Sequence, residues 1–206
     1  VKLGTSMKSV GEAMAIGRNF KESLQKGLVS LEIGYKGLDS LNNLTNKELR
    51  KKLGQNLPDK LIVVAEAIRR NINIKNIYKL TKIDPWFLEQ ISDLIKVEKK
   101  LKKNGVPQTF KEFSFIKSIG FSDSKIAELT KSSIESIEKK KRKLKIYPVF
   151  KKIDTCAGEF KSETPYMYST YQKLSGNFVD CESNPTNKEK IIILGGGPNR
   201  IGQGIE

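Results

Sequence analysis

Apolar residues fall at helical spacing along most of residues 19–146, and nearly every amphipathic run carries its own start and stop signal. Phe20, Leu24, Leu28 and Leu31 line one face. Asn19 precedes them as a cap, Glu22 completes a capping box, and Gly34 marks the end. Thr45 with Glu48 is a second capping box, opening a helix that carries Leu49 and Leu53. After Pro58 and Asp59, residues 60–70 place Leu61, Val64, Ala65 and Ile68 on one face. Asp84 followed by Pro85 is the strongest helix start in the chain. The stripe behind it, Phe87, Leu88, Ile91, Leu94, Ile95 and Leu101, stops at Asn104 and Gly105. Trp86, in the first turn of that helix, reads as a helix-contact aromatic rather than a ligand group. Thr109 and Glu112 open a helix with Phe113, Ile116 and Ile119 that Gly120 ends. Ser122 opens a short one with Ile126 and Leu129, and Ser132 with Glu135 opens another with Ile134 and Ile137.

Beyond Ile146 this punctuation stops. Residues 149–171 contain Gly158, Pro165 and a cluster of aromatic residues, Phe160, Tyr166, Tyr168 and Tyr171. They read as an extended segment pinned across another surface by its rings, with Cys156 a buried structural cysteine. Near the end, Ile191 to Leu194 form a β-branched apolar run that reads as a strand buried on both faces of a parallel sheet. Gly195, Gly196 and Gly197 follow, then Asn199, Arg200, Gly202 and Gly204. A glycine-rich turn after such a strand can offer backbone amides to an anion. A dinucleotide fingerprint from Gly195 would need glycine where Arg200 stands. A P-loop from Gly197 would need Lys and Ser or Thr where Gln203 and Gly204 stand.

Composition narrows the chemistry. The chain has 206 residues, 37% hydrophobic and 30% charged, typical of a globular protein, and contains no apolar run of membrane-spanning length. It has no histidine and two cysteines, Cys156 and Cys181. Zinc chemistry, histidine acid-base catalysis and a disulfide framework are thereby excluded, and the cytoplasm is the default compartment. A net charge of +15 raises nucleic-acid binding. Phe121 to Leu144 even has the outline of a helix-turn-helix. Only six of the 38 basic residues are arginine, however. The would-be recognition helix begins Ser133, Ile134, Glu135, Ser136, and its cations sit at the C-terminal end, where they favour the helix dipole without any partner. A solvated lysine-rich surface is the simpler reading, and no nucleic acid and no membrane are expected.

Four strings carry a family resemblance. KIIILGGGPNRIGQGIE resembles the opening of the second synthetase half of the carbamoyl-phosphate synthase large subunit. MKSVGEAMAIGR with the following FKESLQK is similar to the end of the first half. LTKIDPWFLEQI resembles the helical domain between them, and IDTCAGEF with TPYMYSTY resembles the connector into the second half. The one departure is a longer stretch between Tyr171 and Cys181, expected to be a surface loop. The resemblance implies a fragment of mainly α class. It divides into the end of the first ATP-grasp half (1–18), a helical oligomerisation domain (19–148), an extended connector (149–189) and the first strand and glycine-rich turn of a truncated α/β domain (190–206). It further implies a parent ligase that makes carbamoyl phosphate from bicarbonate, glutamine-derived ammonia and two ATP, with Mg²⁺ or Mn²⁺, for arginine and pyrimidine synthesis. The partners implied are a small glutamine amidotransferase subunit and further copies of the chain. No catalytic residue or metal ligand carries over; Gly195, Gly196, Gly197, Asn199 and Arg200 are the candidate active-site-lining turn. The alternatives are a helix-turn-helix nucleic-acid binder and a stand-alone helical interaction domain.

Overall fold

A computed structural model describes residues 4–6, 13–171 and 181–193. Among them are eight helices: α1 (Phe20–Ser30), α2 (Asn46–Leu53), α3 (Lys60–Arg69), α4 (Ile74–Thr81), α5 (Pro85–Asn104), α6 (Phe110–Ser118), α7 (Asp123–Thr130) and α8 (Ile134–Lys143). Two short strands follow, β1 (Val149–Lys152) and β2 (Met167–Thr170), paired antiparallel with Val149 opposite Thr170 and Lys152 opposite Met167. The mainly α class expected from the sequence is the one observed.

The long helix α5 is the spine, packing against α1, α3, α4 and α7. Its N-cap is Asp84, whose carboxylate accepts from the Trp86 amide, with Pro85 in the first turn and Gly105 at the C-cap, where the sequence placed them. The capping boxes of α2 and α6 form as expected, Thr45 with Glu48 and Thr109 with Glu112. Leu49, Leu53, Leu88, Ile91, Phe113, Ile126 and Ile137 are fully buried.

The departures have local physical causes. Glu22 does not close a box on Asn19; its carboxylate accepts from the Arg18 amide at 2.8 Å, and α1 ends at Ser30 with Leu31 as its C-cap, before Gly34. The buried face of α1 includes Glu22 and Gln25 as well as Leu28, because α1 docks on the polar end of α6. There the Gln25 side chain donates to the Ile119 carbonyl at 2.8 Å and the Asn19 side chain to the Ser118 carbonyl at 3.0 Å. Helix α3 is buried from Ile62 through Ile68 rather than along one stripe, since α2, α4 and α5 surround it. Helix α4 was not foreseen: its cap is Asn73, and only Ile77 is buried, too sparse an apolar pattern to register. Helix α8 is capped by Ser133, whose hydroxyl accepts from the Ser136 amide, not by Ser132, which meets Thr130 instead.

Residues 149–171 form a hairpin rather than a single extended strap. Of its rings Tyr171 is packed against the helical core and Tyr168 lies beneath the Lys26 ammonium of α1 at 5.7 Å, whereas Phe160 and Tyr166 are 75% and 70% exposed. Cys156 is only partly buried. Across the other edge of β1 runs the segment from Cys181. The Glu182 amide donates to the Phe150 carbonyl at 2.8 Å, and its carboxylate accepts from the Lys152 amide at 2.7 Å. Ile191 to Ile193 are not a buried strand here. They are more than 80% exposed, because none of the described residues pairs with them. The stretch between Tyr171 and Cys181 that was expected to be an extra loop lies outside the described residues.

Candidate functional site

No nucleophile paired with a base emerges from the described residues; what the charged side chains do is hold segments together. Arg69, at the end of α3, is the most connected. Its guanidinium donates to both Glu98 oxygens at 2.8 to 3.1 Å, to Glu66 at 3.3 Å and to the Asp39 and Leu38 carbonyls. Arg70 beside it donates to Glu66 at 2.8 Å and to the Leu41 and Leu44 carbonyls at 3.1 and 2.7 Å. Two adjacent arginines thus staple the irregular segment between α1 and α2 onto α3 and α5. The planar fork suits them to this, since each carries several donors in fixed directions. Burial by itself would push the Glu98 carboxyl upward, but Arg69 and Lys102 together hold it below the usual carboxylate range.

A second cluster ties the hairpin down. Lys117 of α6 donates to the Phe121 carbonyl and to Asp123, both at 2.7 Å, and Asp123 also accepts from Lys141 of α8. The Tyr171 ring, just past β2, lies against both ammonium groups, 4.9 Å from Lys117 and 5.9 Å from Lys141. Burial lowers the Lys117 pKa, with Asp123 partly opposing it. Burial would raise that of Asp123, yet the two lysines hold it low. Lys125, 1% exposed, bridges α7 to Asp39 and also pairs with Glu128 of its own helix, both at 2.8 Å.

The third cluster lies where the two ends of the helical block meet. Lys26 of α1 donates to the Ile16 carbonyl at 2.9 Å and to the Ser169 carbonyl of β2, while pairing with Glu22 at 3.0 Å. Beside it an open groove of about 710 Å³ runs between α1, the α6–α7 turn and the hairpin, with Met14, Val29, Phe121 and Met167 among its walls.

Sequence reasoning assigned these lysines and arginines to a solvated surface. The readable signal was acid-base spacing at four residues, Glu22–Lys26, Glu66–Arg70 and Glu98–Lys102, each a pair that forms. The candidate turn, Gly195, Gly196, Gly197, Asn199 and Arg200, lies outside the described residues. Among the described residues no three Cys, Asp or Glu side chains converge as a metal-binding set, and no helix is long and apolar enough to cross a membrane.

Comparison with known proteins supplies the context for this architecture. The family described as "Carbamoyl-phosphate synthetase large chain, oligomerisation domain" matches residues 12–145, which hold all eight helices. The chain belongs to that family. Carbamoyl phosphate synthase large chains resemble it well beyond the helical block. That of Mesorhizobium japonicum is 45% identical over 217 residues, covering 99% of this chain and 19% of the relative. Those of Pseudomonas aeruginosa and Buchnera aphidicola are 46% and 47% identical, each covering 100% of this chain and 19% of the relative. This chain therefore spans about a fifth of the length of these large chains. In the family's terms, the Arg69 and Lys117 clusters stiffen the oligomerisation domain, and Tyr171 and Lys26 attach the hairpin to it.

Proposed function

We propose that this chain is the oligomerisation and connecting segment of a glutamine-dependent carbamoyl-phosphate synthase large chain. The observation that carries this is similarity along the whole chain, continuing on both sides of residues 12–145 into the large chains of the relatives. On this reading residues 1–18 end the first ATP-grasp half, 19–148 form the helical domain, 149–189 connect, and 190–206 begin the second half. The parent joins bicarbonate, ammonia released from glutamine by a small amidotransferase subunit, and two ATP to form carbamoyl phosphate for arginine and pyrimidine synthesis in the cytoplasm. On this reading ATP and Mg²⁺ or Mn²⁺ are cofactors of the parent enzyme, held by carboxylates of its ATP-grasp folds. A phosphoryl-transfer site needs such carboxylates for the metal and cations for the phosphates.

The role of this segment is mechanical: it associates with further copies and fixes the positions of the flanking regions. Sedimentation of the 206-residue chain over a wide concentration range tests the first part. A concentration-dependent rise in mass is expected, and a monomer at every concentration overturns it. The turn from Gly195 to Gly197 with Asn199 and Arg200 lines the second active site. In the full-length enzyme with its small subunit, Arg200→Ala should lower carbamoyl phosphate synthesis without altering thermal unfolding; unchanged kinetics remove that role.

A further inference from the structure

We propose that Lys26 is a positioning residue for the two-ATP reaction of the large chain. By joining the segment that enters the helical block to the connector that follows it, Lys26 sets how the two synthetase halves are placed and how much intermediate passes between them. The proposal rests on the reading of this chain as the link between those halves. Lys26 lies in the middle of α1. Its ammonium donates to the Ile16 carbonyl at 2.9 Å and to the Ser169 carbonyl of β2, pairs with Glu22 at 3.0 Å, and stands 5.7 Å from the centre of the Tyr168 ring. A helical ion pair at four-residue spacing needs none of the other three partners. Two of the three N–H groups of this ammonium are instead committed to backbone of two different segments.

Each segment is also fixed independently to the block. On the entering side Glu22, 1% exposed, accepts from the Arg18 amide at 2.8 Å, so Ile16 and Arg18 are both held against α1. Gly17 between them lies so close that a Cβ there would stand 2.9 Å from the Ser23 Oγ and 3.0 Å from the Glu22 side chain. On the connector side Tyr171 rests against Lys117 and Lys141, 4.9 and 5.9 Å away. The rest of the hairpin follows β2 as a unit, since β1 pairs with it and the Glu182 amide donates to the Phe150 carbonyl of β1. Two carbonyls that share one ammonium lie within about 6 Å of each other. Entry and connector therefore meet at one corner of the block rather than at opposite ends.

The stoichiometry of the proposed reaction gives that corner a chemical consequence. Carbamoyl phosphate keeps one phosphoryl group, so one of the two ATP contributes it. The other ATP is consumed in joining ammonia to bicarbonate, with release of phosphate. The species between the two steps is a carbamate, which water returns to bicarbonate and ammonia. With one ATP-grasp fold in each half, carbamate that escapes between them has consumed ATP and gives no product. Displacements of about 1 Å are enough to disturb such a hand-over.

The full-length enzyme with its small subunit tests this, with ADP and carbamoyl phosphate measured together. The unmodified enzyme should release two ADP per carbamoyl phosphate. In Lys26→Met that ratio should rise at least about twofold while the rate of bicarbonate-dependent ADP release is kept. Lys26→Gln, one atom shorter and uncharged, should behave in the same way, and Lys26→Arg, which keeps charge and several donors, should restore a ratio near two. Amide exchange in Lys60–Arg69 and Pro85–Asn104 checks that each variant keeps its helical block. A ratio that stays at two, whether both rates fall together or neither changes, overturns the positioning role and leaves the large-chain reading intact. An unmodified full-length protein that forms no carbamoyl phosphate from bicarbonate, glutamine and ATP overturns that reading, and the proposal with it.

Discussion

Asp123 accepts from two lysines that are themselves largely buried, so one carboxylate serves as counter-ion to two ammonium groups. Replacing it by Asn leaves Lys117 and Lys141 facing each other and the Tyr171 ring without an anion. Loss of a buried partner of this kind costs about 3 to 5 kcal/mol. Asp123→Asn should therefore lower the urea midpoint far more than Lys117→Met, which leaves Asp123 paired with Lys141. Acid should act through the same group. Asp123 and Glu98 both titrate below their ordinary values of 3.8 and 4.5, so the folded state binds fewer protons than the unfolded chain in that window. Their contribution is complete at neutral pH and is lost as pH falls through the ordinary values toward the depressed ones. A plot of unfolding free energy against pH should show a shallower acid limb for Asp123→Asn than for the unmodified chain; parallel limbs would dismiss this carboxylate as a determinant.

At the scale of elements, the junction of α1 with α6 depends on one glycine. Gly120 has φ +91°, and a Cβ there would stand 2.9 Å from the Glu22 Cα and 3.0 Å from the Glu22 carbonyl oxygen. Both neighbours are helix backbone, which cannot rotate away. Gly120→Ala should destabilise by about 1 to 3 kcal/mol through strain and the forced separation of α1, measured by thermal unfolding. The α8 cap gives a sharper discrimination. Ser133→Ala should cost about 1 kcal/mol by removing the acceptor for the Ser136 amide, and Ser132→Ala less. Much of this level was legible in advance. Asp84, Pro85 and Gly105 delimit α5 because caps are local chemistry, and Thr45 and Thr109 work the same way. The misses arise where tertiary surroundings override local pattern. α3 is buried all round because three helices enclose it, and α4 carries one buried residue and so has little period to detect. Gln25 is buried against a carbonyl at the end of another helix and Glu22 against the Arg18 amide and Lys26, partners that no hydrophobic count can reveal. Of the candidate site, the helical platform was legible as a pattern, whereas its arginine and lysine staples resembled ordinary surface charge.

For the molecule as a whole, the attachment of the hairpin should be separable from the stability of the helices. Tyr171 is the ring through which the end of β2 meets α6 and α8. Tyr171→Ala should accelerate amide exchange in Val149–Lys152 and Met167–Thr170 while leaving α3 and α5 protected. Tyr171→Phe, which keeps the face presented to the lysines, should exchange close to the unmodified rate. Uniform acceleration throughout the chain would instead make Tyr171 an ordinary core residue.

The ammonium of Lys26 touches the carbonyls of Ile16 and Ser169 at once. Two points more than 150 residues apart along the chain are therefore no farther apart in space than two hydrogen bonds. The helical block hangs from that clasp like a pendant on a closed link. Loops inside it can lengthen or shorten without changing the spacing of the segments that enter and leave, so variation in the pendant does not reach the clasp.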